Sequence, residues 1–533
     1  MSSNIQAASD VLSAAVRAGV RDVCLCAGSR NSPLVAVAAA ATGIRPLAFP
    51  DERAAAFFAL GRARSTGRPV AVITTSGTAV AEMLPAAIEA HYTGTPLLLV
   101  TADRPRRFRG TGAPQTIEQP GLFGVYCERS IDMQAGDPVD ISGWGQRSPL
   151  HLNVAFDEPL LDDKIPHLDF AGAPETLAKQ PAAEPASAEI DMLREFLDAH
   201  TQPLVILGQL DPVDRQPVLH FLRALGAPVH AEALSGLREH DGLRDIRITG
   251  GERMLASGAF NGVLRIGGVP TLRFWRDLEA RDARLPVLSV TSLPFAGLSR
   301  GDIIVRAPRH LLPRVDPKTR RMERFLQEDR AMCERVDAIL RDEPLAELSM
   351  IRGLSAMPAD GAHVFLGNSL PIREWDLAAT RHPREYDYSA NRGANGIDGA
   401  LSTFFGMARE GKENWAVVGD LTLLYDLSAP WIIPQLDPEV SLRLVVVNNG
   451  GGRIFGRVAA LDSVDTGSRE KFFENGHEVS FGSWADMWRI PYQRWEAVPQ
   501  TVALPPRCVI EIVPDPAASA RLWRRFDSLW SSP

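Results

Sequence analysis

The run WAVVGDLTLLYDL (415–427), followed by LRLVVVNNGGGRIFG (442–456), decides the reading of the fold. Trp415–Val418 and Leu442–Val447 are short, almost unbroken apolar runs, the pattern of strands buried on both faces of a parallel sheet. The first stops at Gly419-Asp420 and the second at Asn448-Asn449, followed by Gly450-Gly451-Gly452. In such sheets ligands bind beyond the carboxyl ends of the strands. An Asp and an Asn there reach one hard cation, and glycines let the backbone approach a diphosphate and lend a carbonyl oxygen. Asp420, Asn449 and the Gly451 carbonyl are the expected ligands of Mg²⁺, with Mn²⁺ as a substitute. The competing explanation is a turn with an Asp cap.

The same pattern continues outward. His363–Leu366 and Cys508–Val513 read as further strands of a region that starts near Met350. Upstream, Pro203–Leu207, Gly262–Ile266 and Val287–Val290 read as strands, Gln216–Leu225 as a helix, and the stretch near Arg320–Arg341 as a charged helix. Nearest the N-terminus, strands Val23–Cys26, Val70–Thr74 and Leu97–Thr101 alternate with helices at Asn4–Ala18, Ala54–Ala63 and from Thr78 to about His91. Between the first two regions, Ala171–Glu189 turns to Ala, Pro and Glu, a linker composition. The fold class is therefore α/β: three consecutive doubly wound domains with mainly parallel sheets, over 1–175, 186–345 and 346–533.

Composition narrows the function. The 533 residues carry 57 Lys+Arg against 65 Asp+Glu, a net charge of −8. No basic stripe suggests nucleic acid. Lysines occur only at 164, 179, 318, 412 and 471, so anion binding falls to arginine, which grips carboxylates bidentately. The five cysteines are odd in number and show no metal-ligand spacing beyond the close pair Cys24/Cys26, which fits a reducing, cytoplasmic setting. No signal peptide and no stretch approaching the ~20 apolar residues of a membrane span is visible. P-loop, nucleophile-elbow and HExxH motifs are absent.

Pro50-Asp51-Glu52-Arg53 precedes the helical run Ala54–Phe58. The GD…NN spacing is similar to the thiamine-diphosphate fingerprint, with Leu421 in its third position. Enzymes with that cofactor use one Glu against the pyrimidine N1′, and the cofactor supplies the base. Glu52 fits; the plainer alternative is a helix-start charge stabilised by the dipole. Across nearly its whole length the chain resembles the 2-succinyl-5-enolpyruvyl-6-hydroxy-3-cyclohexene-1-carboxylate synthases. The resemblance rests on AGSRNSPL (27–34), DERAAAFFALGRA (51–63), TTSGTAVAEMLPAAIEAHY (74–92), TADRP (101–105) and GAPQTIEQPG (112–121). It continues through HLNVAFDEPL (151–160), GNSLPIRE (367–374), NRGANGIDGALST (391–403), VVGDLTLLYDL (417–427) and VVVNNGGGRIFG (445–456).

The resemblance implies a thiamine-diphosphate-binding fold and a reaction in menaquinone biosynthesis. There 2-oxoglutarate loses CO₂ and the resulting carbanion adds to isochorismate in a 1,4-addition. Glu52 is the implied catalytic residue. Ser369, Ile397, Asp420, Leu421, Thr422 and Ile454 are implied at the cofactor, with Ile397 as a wedge beneath its rings. Ser29, Arg30, Arg104, Gln115, Arg273, Arg373, Arg392 and Phe455 are implied at the acidic substrates. Two positions depart from the family pattern: Pro114 stands before Gln115 where Asn is expected, and Leu272 stands beside Arg273 where a basic pair is expected. The resemblance also implies a homodimer or homotetramer with Glu52 and Asp420 of one site on different subunits. Two other readings are an acetolactate-synthase-like carboligase, which would lack the arginine set, and a silent paralogue with a binding role, against which the joint presence of Glu52, Asp420 and Asn449 argues.

Overall fold

The computed structural model describes residues 3–172, 184–279 and 285–530; 173–183, the centre of the expected linker, lie outside them. The described chain forms three sheets in which every strand pair is parallel.

The first sheet contains β1 (Asp22–Leu25), β2 (Arg45–Ala48), β3 (Val70–Thr74), β4 (Leu97–Asp103), β5 (Arg129–Gln134) and β6 (Leu150–Ala155), in the order β2-β1-β3-β4-β6-β5. The second holds β7 (Pro203–Leu207), β8 (Val229–Ala231), β9 (Gly262–Ile266), β10 (Val287–Thr291) and β11 (Asp302–Val305), ordered β11-β10-β9-β7-β8. The third holds β12 (His363–Leu366), β13 (Asp387–Ser389), β14 (Asn414–Gly419), β15 (Leu442–Val447), β16 (Tyr492–Trp495) and β17 (Arg507–Ile512), ordered β13-β12-β14-β15-β17-β16. Renumbered within each sheet, the first and third have the same order, 2-1-3-4-6-5. The sequence left open whether these regions repeat one fold; the strand order shows that they do.

Central strands are buried along their whole length because helices cover both faces, as in β3, β4, β7, β9 and β10. In the first and third sheets the order reverses between the first strand and the third. Loops leaving these two strands diverge there and leave a crevice at the strand ends. In the third sheet the crevice is flanked by Gly367–Ser369 after β12 and Asp420 after β14.

The chain divides into two compact units: Met1–Gln180 with Asn391–Glu410 and Thr422–Val440, and Pro181–Ala390 with Gly411–Leu421 and Ser441–Pro533. Within the first, the helix Glu52–Thr66 packs on the helix Ala400–Met407. Glycines set that approach: a Cβ on Gly61 would lie 2.0 Å from the Thr403 carbonyl oxygen, and one on Gly406 2.1 Å from that of Phe58. All five cysteines are free. Among the described residues no helix is long and apolar enough to cross a membrane.

Candidate active site

β14 runs directly into the helix Asp420–Tyr425, so Asp420 sits at a strand end and a helix start, where the dipole favours an anion. Its side chain is buried. Oδ2 accepts from the Gly450 and Gly451 amides, both at 2.9 Å, and Oδ1 accepts from the Leu421 amide at 2.7 Å. His477 Nε2 lies 3.3 Å from Oδ2. Oδ1, with one donor, keeps a lone pair for a cation. Burial pushes the Asp420 carboxyl up, and the Gly451 and Leu421 amides oppose the rise.

The loop after β15 is built for close approach. Gly450 and Gly451 have φ of 78° and 132°, and a Cβ on Gly451 would lie 2.5 Å from the Glu474 carbonyl oxygen. Asn449 donates through Nδ2 to both carboxylate oxygens of Glu347, at 2.9 and 3.0 Å. Its Oδ1 is buried and has no partner. A carboxylate, an amide oxygen and a backbone carbonyl are the oxygen set that Mg²⁺ takes beside phosphate oxygens. These residues fit the group.

Glu347 hydrogen-bonds in turn to Glu374, and both carboxyls are buried. Burial pushes Glu347 up to about 7. Burial and the neighbouring Glu347 charge hold Glu374 well above the usual range. Ser369 turns the chain at φ 71°, and its side chain does not cap the helix Leu370–Ala378 that it opens. Arg373 of that helix donates to the Ser369 carbonyl at 2.6 Å. Ile454 is half-buried; Phe455 is exposed, 6.4 Å from the Phe473 ring.

The other unit carries Glu52 at the first position of its helix. Asp51 caps that helix by accepting from the Ala54 amide at 3.0 Å, and Ser428 Oγ donates to its other oxygen at 2.5 Å. The Glu52 carboxyl is half-buried. Burial pushes it above its ordinary value; its own backbone N–H opposes this, and the Asp51 and Glu82 charges add to the rise. A carboxyl so placed shares a proton readily. Alongside the helix lies a cavity of 440 Å³ lined by Phe57, Glu82, Ile88, Glu89, Asn391 and Asp398 among others. Buried Glu89 accepts from the Gly393 and Ala394 amides at 2.8 and 2.7 Å, fixing the turn that carries Arg392 and half-buried Ile397. Thr422 is buried and Leu421 half-buried.

The remaining substrate candidates are less uniform. Ser29 is exposed in the loop after β1, whereas Arg30 is turned inward, donating to the Phe156 carbonyl at 3.0 Å and pairing with Glu158 at 3.2 Å. Arg104 donates through Nε to the Pro114 carbonyl at 2.9 Å and so ties down the loop that presents Gln115, exposed at φ 55°. Arg273 is exposed and pairs within its own helix with Asp277 at 3.5 Å, while Leu272 is a buried core residue of the middle sheet. Packing accounts for Leu272.

A family model described as the thiamine pyrophosphate enzyme N-terminal TPP binding domain matches residues 6–122. A 2-succinyl-5-enolpyruvyl-6-hydroxy-3-cyclohexene-1-carboxylate synthase of Bdellovibrio bacteriovorus is 42% identical, over 99% of this chain and 99% of that protein. The chain belongs to this synthase family. The synthase of Akkermansia muciniphila is 40% identical over 89% of the chain and 88% of its own length; that of Lysinibacillus sphaericus is 30% identical over 96% of each. The protein is thus a thiamine-diphosphate-dependent enzyme acting on small molecules.

Within this synthase scaffold, sequence reading passed over Glu347, Glu374, His477, Glu89 and Gln119. Gln119 is wholly buried, accepts from the Gly77 amide at 2.9 Å and donates to Asn153 at 2.8 Å, holding the chain four residues after Gln115. The signal that could have found Glu374 was its place in the motif GNSLPIRE; Glu347 lies in no such motif.

Proposed function

We propose that the enzyme decarboxylates 2-oxoglutarate and joins the remaining four-carbon unit to isochorismate by 1,4-addition, giving 2-succinyl-5-enolpyruvyl-6-hydroxy-3-cyclohexene-1-carboxylate and CO₂ in menaquinone biosynthesis, with Mg²⁺ holding the cofactor. The carrying observation is the oxygen set at the third sheet: Asp420 fixed by three backbone amides beside a buried, partnerless Asn449 Oδ1. Asp420, Asn449 and the Gly451 carbonyl hold Mg²⁺; Mn²⁺, which accepts the same oxygens, replaces it.

The cofactor, when bound, supplies the electron sink that lets a 2-oxo acid lose CO₂ and its former carbonyl carbon act as a nucleophile. Glu52 holds a proton against the pyrimidine N1′, which its raised carboxyl pKa suits. Ser369, Leu421 and Thr422 border the diphosphate, Ile397 and Ile454 the rings. Arg373 and Arg392, with Ser29, Arg30, Arg104, Gln115, Arg273 and Phe455, receive the acidic substrates; charge-assisted pairs with carboxylates supply the binding. The domains divide at 1–175, 186–345 and 346–533. The assembly is a homodimer or homotetramer in which Glu52 and Asp420 of each site come from different subunits. A cytoplasmic setting belongs to the same reading, and the free cysteines suit it.

The test is a coupled assay of purified protein, thiamine diphosphate and Mg²⁺ with 2-oxoglutarate, with and without isochorismate. Isochorismate absorbance lost only when every component is present is the expected result. CO₂ release without isochorismate loss would move the acceptor elsewhere.

A further inference from the structure

The two asparagines after β15 are both held by carboxylates, with different consequences. Asn448 donates to Glu511 Oε1 at 2.7 Å and to the Val479 carbonyl at 2.7 Å, and its own Oδ1 accepts from the Gly450 amide at 3.3 Å. Its amide is spent inside the loop. Asn449 spends only its NH₂ end, on Glu347.

Asn449 Nδ2 lies within hydrogen-bond distance of both Glu347 carboxyl oxygens, so the NH₂ end of the amide faces Glu347. A second carboxyl, Glu374, holds Glu347 from behind, and the Glu347 backbone amide donates to Ser519 Oγ at 3.0 Å. Glu347 is itself buried at the start of the helix Glu347–Leu354, so it has little freedom to turn away. With the NH₂ fixed, Oδ1 points away from Glu347 and stays without a protein partner.

We propose that Glu347 is a positioning residue for the cofactor's metal: it locks the Asn449 side chain in the one amide orientation that presents oxygen, not NH₂, to the cation. Unrestrained, the amide has two orientations of similar shape, one of which aims a donor at a cation. The proposal rests on the reading of Asn449 as a metal ligand. Outer partners that orient metal ligands typically contribute ~10–100-fold to metal affinity.

The experiment is Mn²⁺ binding to the full chain with saturating thiamine diphosphate, read by the free-Mn²⁺ electron paramagnetic resonance signal. Glu347→Ala is expected to weaken Mn²⁺ by ~10–100-fold. Glu347→Gln, whose side-chain oxygen still accepts from Asn449 Nδ2, is expected to stay within ~3-fold of wild type. In an Asn449→Ala background, adding Glu347→Ala is expected to cost less than ~2-fold, because the two act through one ligand. Glu347→Met keeps volume without an acceptor and replaces Glu347→Ala if that variant does not fold. Wild-type affinity in Glu347→Ala or Glu347→Met, or an equal loss with Asn449 already removed, would overturn the proposal. Asp420→Ala separates the two claims: Mn²⁺ binding unchanged in that variant refutes the metal site itself, whereas its loss there with no effect at Glu347 refutes only the positioning role.

Discussion

The first and third sheets share one strand order but not one chemistry. In each, the first strand ends in a similar loop, GSRNSP (28–33) and GNSLP (367–371). Their fourth strands diverge. At the end of β4, Asp103 is fully buried and closed in by Arg109 at 3.0 Å, Asn153 at 3.0 Å and the Arg104 amide at 2.7 Å. Beyond β15, Asn449 leaves an oxygen unspent. The first sheet closes Asp103 into its own network and carries Glu52 on the helix between its second and third strands. One strand order thus closes Asp103 at the end of a fourth strand in one sheet and leaves Asn449 Oδ1 open beyond the fourth strand of the other.

Each half can be broken separately. Glu52→Gln removes the shared proton and leaves the third sheet intact. Turnover is expected to fall ~10²–10⁴-fold with cofactor affinity near wild type; full activity would remove Glu52 from the chemistry. Asp420→Ala should do the reverse, weakening Mg²⁺-dependent cofactor binding ~100-fold or more in calorimetry, while Asp103→Asn, at the end of the first sheet's fourth strand, should cost stability and leave cofactor affinity unaltered. Arg373→Ala and Arg392→Ala should raise KM for an acidic substrate ~10–50-fold, the loss of a charge-assisted hydrogen bond. A change in unfolding alone would make those arginines structural.

The smallest effect separates the sheets by pH. His151 of β6 is buried between Thr101 Oγ at 2.8 Å and Ser130 Oγ at 3.0 Å, and burial lowers its pKa from 6.5 to about 4. Its folded pKa lies below the unfolded one, so the stability it gives as a neutral ring is present above pH 6.5 and lost as pH falls from 6.5 towards 4. Between pH 7 and pH 5 the wild type should lose about 1–2 kcal/mol more than His151→Gln in denaturant unfolding. Equal losses would mean that the ring is not held neutral.

Legibility followed burial and sequence distance. The limits Val70–Thr74, Pro203–Leu207, Gly262–Ile266, His363–Leu366 and Leu442–Val447 were readable because each of those strands is a mostly apolar run with at most one charged or imidazole residue. The edge strands β2, β11 and β16 were missed, being short and partly exposed, and β6 was missed because His151 and Asn153 interrupt its apolar run. The helix expected from Thr78 to about His91 is two, Thr78–Ala81 and Leu84–Thr93, with Pro85 at the second start. Asp420 and Asn449 could be seen because strand-end chemistry is local. Glu347 could not, because its contact with Asn449 spans 102 residues of sequence.

The most direct test of a divided active site is to mix the two inactive variants. Glu52→Gln and Asp420→Ala protein would be unfolded together, refolded and assayed. If each site draws Glu52 from one subunit and Asp420 from the other, half of the sites in a mixed dimer are intact, and activity should recover to about a quarter of wild type under random pairing. No recovery, with mixed dimers demonstrated by mass spectrometry, would contradict the division.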